Sequence, residues 1–182
     1  FPSKQSKAKK VMIFGHMDEV GFIVRNIDED GYLYIERIGG ANMNVLPGLR
    51  LDVMGDNGII PGIVGTKAYH FLKPEEKGLF PSLDKLYIDI GVKTKEEAEK
   101  QGVKIGSCVC FHADFIERSN GWLTGKAMDN RVACTLLLKL AELLSQNLNM
   151  LNWDIYLVAC VQEEFNIRGV LPAVRKIKPD VS

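Results

Sequence analysis

No stretch of this 182-residue sequence approaches the ~20 consecutive apolar residues that a membrane span needs. Neither sign of charge is in excess. Lys and Arg number 23 against 23 Asp and Glu, so no general pull towards nucleic acid or anionic membrane is expected. Cysteine is scarce. Cys108, Cys110, Cys134 and Cys160 contain no paired C-x-x-C zinc spacing and are too few for a disulfide framework. Free thiols in a reducing cytoplasm are the reading, and a cytoplasmic location follows from it. The Gly-x-Ser-x-Gly elbow of serine hydrolases is missing. Gly39-Gly40 has no following helix signal, which argues against a phosphate loop. What remains is a chain 46% hydrophobic and 25% charged, the composition of a globular protein rather than a disordered or fibrous one.

The length suits one domain, or one domain carrying a smaller insert. Val11-Met12-Ile13-Phe14 and Ile155–Val161 are uninterrupted apolar runs, as expected of strands buried on both faces of a helix-covered sheet. A helix is predicted from near Asp129, with Val132, Leu136, Leu140 and Leu143 along one stripe and Ala133, Leu137 and Leu144 widening it. A second runs from about Gly169 to Ile177, provided Pro172 lies in its first turn. Strand and helix alternating in this way predict an α/β domain. Between the runs, from about Gly21 to Asn120, short strands alternate with turn signals. Asp30-Gly31 and Asn57-Gly58 mark hairpins, and Thr94 with Glu97 caps a short helix stopped by Gly102. The expectation is an α/β domain made of residues 1–20 and 121–182, interrupted by a β-rich, barrel-like or sandwich-like insert of residues 21–120. Phe22, Ile35, Leu51, Ile63 and Ile88 are expected to share the insert's core.

The polar stretch Ser3-Lys4-Gln5-Ser6-Lys7 reads as a tail feeding the first strand, without the apolar core of a signal peptide. The chain opens at Phe1 without Met and stops just after Lys178-Pro179-Asp180-Val181, where a new element would open. A piece of a longer protein is therefore expected.

Three clusters could carry chemistry. His16, Asp18 and Glu19 follow the first buried strand, at the edge where ligands gather in open α/β sheets. His16 and Asp18, two residues apart, would point to one side of an extended chain. An imidazole there can bind a metal while a carboxylate orients it; the bland alternative is a loop histidine beside a solvated turn. Asp129 enters the long helix and could be a ligand or simply an N-cap. Glu163 and Glu164 end the second buried strand, and adjacent side chains diverge. One could hold a metal while the other takes a proton from water; the alternative is an exposed acidic turn. His70 and His112 lie within the insert and read as structural. Cys108 and Cys110 are not read as a joint metal site.

Taken in order and spacing, VMIFGHMDEVGFIV, TGKAMDNR and VQEEFNIRGVLPAVRKIKPD resemble the M42 family of dinuclear metallo-aminopeptidases, including glutamyl and deblocking enzymes and tetrahedral assemblies. The resemblance implies metal ligands at His16, Asp129 (bridging) and Glu164, a general base at Glu163, and an acid at Asp18 that orients the histidine. It implies two divalent ions per site, with zinc or cobalt favoured, and peptide substrates. It further implies a homo-oligomer built from dimers through the β-rich insert, with dimer and dodecamer as the alternatives. Imidazole and carboxylate donors without thiolate suit such a hydrolytic site. The family's Val-Gly-Leu after the glutamates appears here as Phe165-Asn166-Ile167, and its Pro-Pro-His as Ala68-Tyr69-His70. Two further ligands and the family's N-terminal strands have no counterpart in these residues, so two protein ligands per ion, and inactivity of this chain by itself, are expected. The rivals are another dinuclear peptidase or deacylase of the same clan, and a non-catalytic assembly module. An endoglucanase reading is rejected, since a glycosidase needs an acid–nucleophile carboxylate pair, whereas a histidine stands here at metal-ligand spacing.

Overall fold

A computed structural model describes residues 1–5 and 7–182; Ser6, within the polar tail, lies outside the described residues. The chain divides into two compact units, Phe1–Glu19 with Phe115–Ser182, and Val20–Asp114.

In the first unit, β1 (Lys10–His16) runs parallel to β10 (Asp154–Cys160), in register from Lys10 opposite Asp154 to His16 opposite Cys160. Two helices cover this pair. α3 (Val170–Ile177) packs Val170, Ala173, Val174 and Ile177 against Met12 and Cys160, and its Pro172 sits in the first turn where no helical N–H is lost. Residues of opposite parity face the other way. There Gly15 lies so close to α2 (Met128–Gln146) that a Cβ on it would meet Ala133 at 3.1 Å.

Two expectations need correction here. The buried face of α2 runs through Leu137, with Ala133, Cys134, Leu140, Ala141 and Leu144 half-buried, while Val132, Leu136 and Leu143 are exposed. The helix is thus rolled by about one residue, roughly 100°, because Gly15 admits the small Ala133 beneath it rather than a leucine. The strands are also less enclosed than their apolar runs suggested. Ile13 and Phe14 are exposed, and within β10 only Cys160 is fully buried, since α2 and α3 reach only part of each face. A two-stranded hairpin, β8 (Ile116–Glu117) with β9 (Leu123–Thr124), completes this unit.

The second unit is a closed barrel in the order β2-β3-β6-β5-β4-β7. Its strands are β2 (Gly21–Ile27), β3 (Leu33–Ile38), β4 (Arg50–Gly55), β5 (Gly58–Gly65), β6 (Tyr87–Asp89) and β7 (Cys108–Phe111). Closure removes the sheet edges, and alternate side chains fill the interior. Phe22, Ile35, Leu51 and Ile88 are buried there as expected, but Ile63 is 50% exposed. The period of two places Gly62 and Val64 inward on β5, and Ile63 pairs across the outer face with Arg50 and Asp89. Both hairpins form, and in each the glycine, Gly31 or Gly58, is the residue taking positive φ. α1 (Lys95–Lys100) starts at Thr94, whose hydroxyl accepts the Glu97 N–H at 3.3 Å. The Glu97 carboxylate reaches back to the Lys93 N–H instead of Thr94.

Candidate metal centre

His16 is the last residue of β1 and is buried. Its Nδ1 lies 3.0 Å from the main-chain carbonyl of Asp18. A carbonyl only accepts, so Nδ1 carries the proton and Nε2 is left free to act as a donor to a cation. Nε2 faces Asp129 Oδ1 at 3.2 Å and Glu163 Oε2 at 3.5 Å.

Asp129 arrives from the start of α2, where the chain is not yet helical. Ala127 is left-handed (φ 55°), and Asp129 and Asn130 have non-helical angles; the Asp129–Asn130 peptide is cis. The carboxylate, its side chain 86% exposed, turns to the imidazole of His16.

Glu163 and Glu164 occupy the loop that follows β10. Gln162, Asn166 and Ile167 all take left-handed angles there, and the loop closes on itself through Ile167 N–H to Glu163 O (2.8 Å) and Arg168 N–H to Gln162 O (3.0 Å). Asn tolerates this conformation where the family resemblance has glycine; a β-branched isoleucine is an outlier in it. The turn back into α3 needs Gly169, since a Cβ there would stand 1.8 Å from the Val161 carbonyl oxygen.

His16, Glu163 and Glu164 offer ligand atoms that all lie within 4.8 Å of one another. Asp129 joins this group through His16, and Asp18 lies behind it, its carboxylate accepting the Glu163 and Glu164 N–H groups. The five residues to which the resemblance gives roles therefore lie together at one end of β1. The charges leave a mark. Burial pulls the His16 pKa down, but the Asp18 carbonyl and the carboxylates of Glu163, Asp129 and Asp18 outweigh it and hold it above 6.5. Burial, reinforced by Glu163, Asp129 and Asp18, pushes Glu164 above the ordinary carboxylate value against the opposing pull of His16. A neutral ring aims its Nε2 lone pair at carboxylate oxygens, and a divalent metal between them would satisfy both sides, so the donor set fits such an ion.

Several supporting residues were not legible. Cys134 on α2 donates its thiol to the His16 carbonyl (3.1 Å), and Cys160 donates to that of Gly15 (3.4 Å). Arg131 reaches the Met17 carbonyl, Lys126 pairs with Glu19, and the Asn130 side-chain oxygen is buried without a partner against Gly15. Spacing could have suggested Cys134, one turn beyond Asn130; the others depend on loop geometry. His70 is exposed on a short 3-10 turn, and His112 Nδ1 lies 3.1 Å from the Asp52 carboxylate in the barrel unit.

A family model described as M42 glutamyl aminopeptidase matches residues 1–182. The chain belongs to the M42 peptidase family. It is 43% identical over 182 residues to the putative aminopeptidase SgcX of Escherichia coli (strain K12), covering 100% of this chain and 48% of the relative. Among solved structures, the TET aminopeptidase of the marine sediment archaeon Thaumarchaeota archaeon SCGC AB-539-E09 matches with a TM-score of 0.91 at 34% identity, covering 98% of this chain and 51% of that one. The TET1 peptidase of Pyrococcus horikoshii, described as assembling into a tetrahedron or a large octahedral shell, matches at TM-score 0.84 and 25% identity, covering 97% and 52%. The M42 chain described here spans about half the length of the curated relatives it matches. No helix among its described residues is long and apolar enough to cross a membrane.

Proposed function

We propose that these residues form part of the catalytic site of a cytoplasmic, metal-dependent aminopeptidase that removes residues from peptide N-termini. The observation that carries the reading is the convergence of His16 Nε2 with the carboxylates of Asp129, Glu163 and Glu164 at the end of one strand. His16, Asp129 and Glu164 would hold two divalent ions, zinc or cobalt, with Asp129 shared between them. When bound, such ions polarise a peptide carbonyl and make water acidic enough to yield its proton near neutral pH. Glu163 takes that proton as general base and returns it to the departing amine, keeping its own charge over the cycle. Asp18 keeps the ring and the glutamates in position. The unit Val20–Asp114 serves as the dimerisation domain of a homo-oligomer, in line with the assembly described for the P. horikoshii relative.

With Asp129 shared, the three ligands give each ion two protein contacts, fewer than the three that catalytic zinc sites retain. The 182 residues alone are therefore proposed to bind metal weakly and to turn over no substrate. The test uses the full-length protein, with metal content measured by mass spectrometry and hydrolysis followed on leucine- and glutamate-anilides and their N-acylated forms. Glu163→Gln should lower turnover on the order of 10²- to 10⁴-fold with metal content unchanged. Faster cleavage of the N-acylated forms, or full activity in Glu163→Gln, would overturn the reading.

A further inference from the structure

Lys126 and Glu19 lie 107 residues apart in sequence, and their side chains form an ion pair. Both belong to stretches that deliver groups to the candidate metal centre. Glu19 stands three residues after His16, and Lys126 three before Asp129. We propose that Lys126 is a positioning residue: its pairing with Glu19 clamps the approach to α2 onto the segment that follows β1, and so holds the Asp129 carboxylate against His16.

Asp129 needs such a hold. Its side chain is 86% exposed and meets His16 Nε2 at 3.2 Å. The carboxylates of Glu163 and Glu164 gather on the same imidazole, and repulsion between like charges drives Asp129 outwards. Regular structure does not restrain it, since Ala127 is left-handed and Asp129 and Asn130 have non-helical angles. The receiving segment, residues 17–19, also lies outside any strand or helix. Side chains fix the spacing of these two irregular segments. Arg131 donates to the Met17 carbonyl at 3.1 Å on one side of Asp129, and Lys126 grips Glu19 on the other. Asp129 is thus flanked in sequence by two cationic anchors on one short segment.

Exposure separates this pair from solvated surface pairs. In Lys104–Asp56 and Lys139–Glu142 every side chain is more than half exposed (64% and 60%, 62% and 55%), where an ion pair is worth little. The Lys126 and Glu19 side chains are 33% and 27% exposed, so water screens them less. If charge carries the contact, exchanging the two partners preserves it. The inference deepens the peptidase reading and rests on it in taking Asp129 as a metal ligand. Its test reads metal uptake and hydrogen exchange rather than turnover, so the two fail separately.

The experiment takes the full-length protein, stripped of metal, and titrates it with cobalt(II) followed by visible absorption. Lys126→Met and Glu19→Gln should each weaken cobalt binding about 5-fold, the effect of one partly shielded ion pair. The double substitution Lys126→Met with Glu19→Gln should be no worse than either alone. The exchanged pair, Lys126→Glu with Glu19→Lys, should return to within about twofold of the parent, and Lys139→Met should bind as the parent does. A pair with only a structural role would lower stability to urea and leave cobalt affinity in place. That result, or additive losses with no recovery in the exchanged pair, overturns the inference. If the parent takes up no cobalt, the metal-site reading fails and hydrogen exchange on the metal-free proteins decides. Faster exchange across residues 126–131 in Lys126→Met, reversed in the exchanged pair, supports the clamp, and unchanged exchange overturns it. Should Lys126→Met not fold, Glu19→Gln and the exchanged pair carry the same comparison.

Discussion

Replacing Gly169 by alanine would set a methyl carbon 1.8 Å from the Val161 carbonyl oxygen and 2.9 Å from its carbon. Contacts this short are not sustained, so the end of β10 and the start of α3 would have to part by more than an ångström. The opposing effect is that Gly169 already has right-handed helical angles (φ −72°, ψ −24°), where alanine is favoured by about 0.5–1 kcal/mol. Both obstructing atoms are backbone, and no rotamer change can move them aside. Overpacking of this kind costs about 1–3 kcal/mol or more. The displaced loop also risks the Ile167–Glu163 and Arg168–Gln162 bonds, each worth about 0.5–1.5 kcal/mol. The net expectation is a loss of about 2–4 kcal/mol, read from urea denaturation, with faster hydrogen exchange across residues 161–169. At Gly40 an added methyl would meet nothing within 4 Å. That position provides the control, and Gly40→Ala should leave both readouts in place. A Gly169→Ala chain as stable as the parent, with unchanged exchange, would refute the idea that close approach at Gly169 holds the glutamate loop.

The Glu76 carboxylate accepts the Lys73 N–H and pairs with Lys85 and Lys67, which together hold its pKa down to about 2. A folded-state pKa depressed in this way gives stability that is present above about 4.5 and lost as pH falls towards 2. The Lys73 amide shift should titrate through that window, and Glu76→Gln should abolish the titration. On α2, Leu137→Ala should cost about 2–5 kcal/mol, whereas Leu136→Ala, at a side chain 64% exposed, should stay within about 0.5 kcal/mol; equal losses by thermal denaturation would contradict the observed helix face. Ile167→Gly removes a β-branched residue from a left-handed conformation (φ 57°). Relief of about 1–2 kcal/mol against about 0.5–1 kcal/mol of added chain entropy predicts unchanged or slightly raised stability, and a clear loss by denaturation would contradict the strain.

What the sequence made legible divides along physical lines. The barrel strands and hairpins follow from period-two alternation and from Gly31 and Gly58, signals a few residues long. Ile63 does not follow, because both it and its neighbours are compatible with a strand; parity within the closed barrel is decided by pairing with Arg50 and Asp89, which no local pattern reveals. The same holds for α2. Its leucines are spread around so much of the helix that periodicity alone leaves the buried face open, and the small pair Gly15 and Ala133 settles it. The candidate residues stood out because His16 with Asp18 and the glutamate pair follow apolar strands and Asp129 enters a helix. Their mutual contacts were not, because Asp18 works through its main chain as well as its side chain.

Backbone strain tells the same story independently of the side chains. The non-glycine residues at positive φ among those described are Ala127, Gln162, Asn166, Ile167 and Lys178. All but Lys178, which caps the end of α3, lie in the two segments that deliver Asp129 and the glutamate pair. In the barrel unit every positive φ falls on a glycine, where it costs little. Left-handed angles at alanine, glutamine and isoleucine each cost about 1–3 kcal/mol and persist only where the surroundings over-determine them. Here the surroundings are specific: the Asp18 carboxylate on the glutamate N–H groups, Gly169 packed against Val161, Arg131 on the Met17 carbonyl, and Cys134 on that of His16. A fold that only had to bury Met12, Leu137 and Cys160 could use relaxed turns at these places. Apart from Lys178, the strained positions lie in the segments that bring the carboxylates of Asp129, Glu163 and Glu164 towards one imidazole, an arrangement of like charges that a cation would relieve.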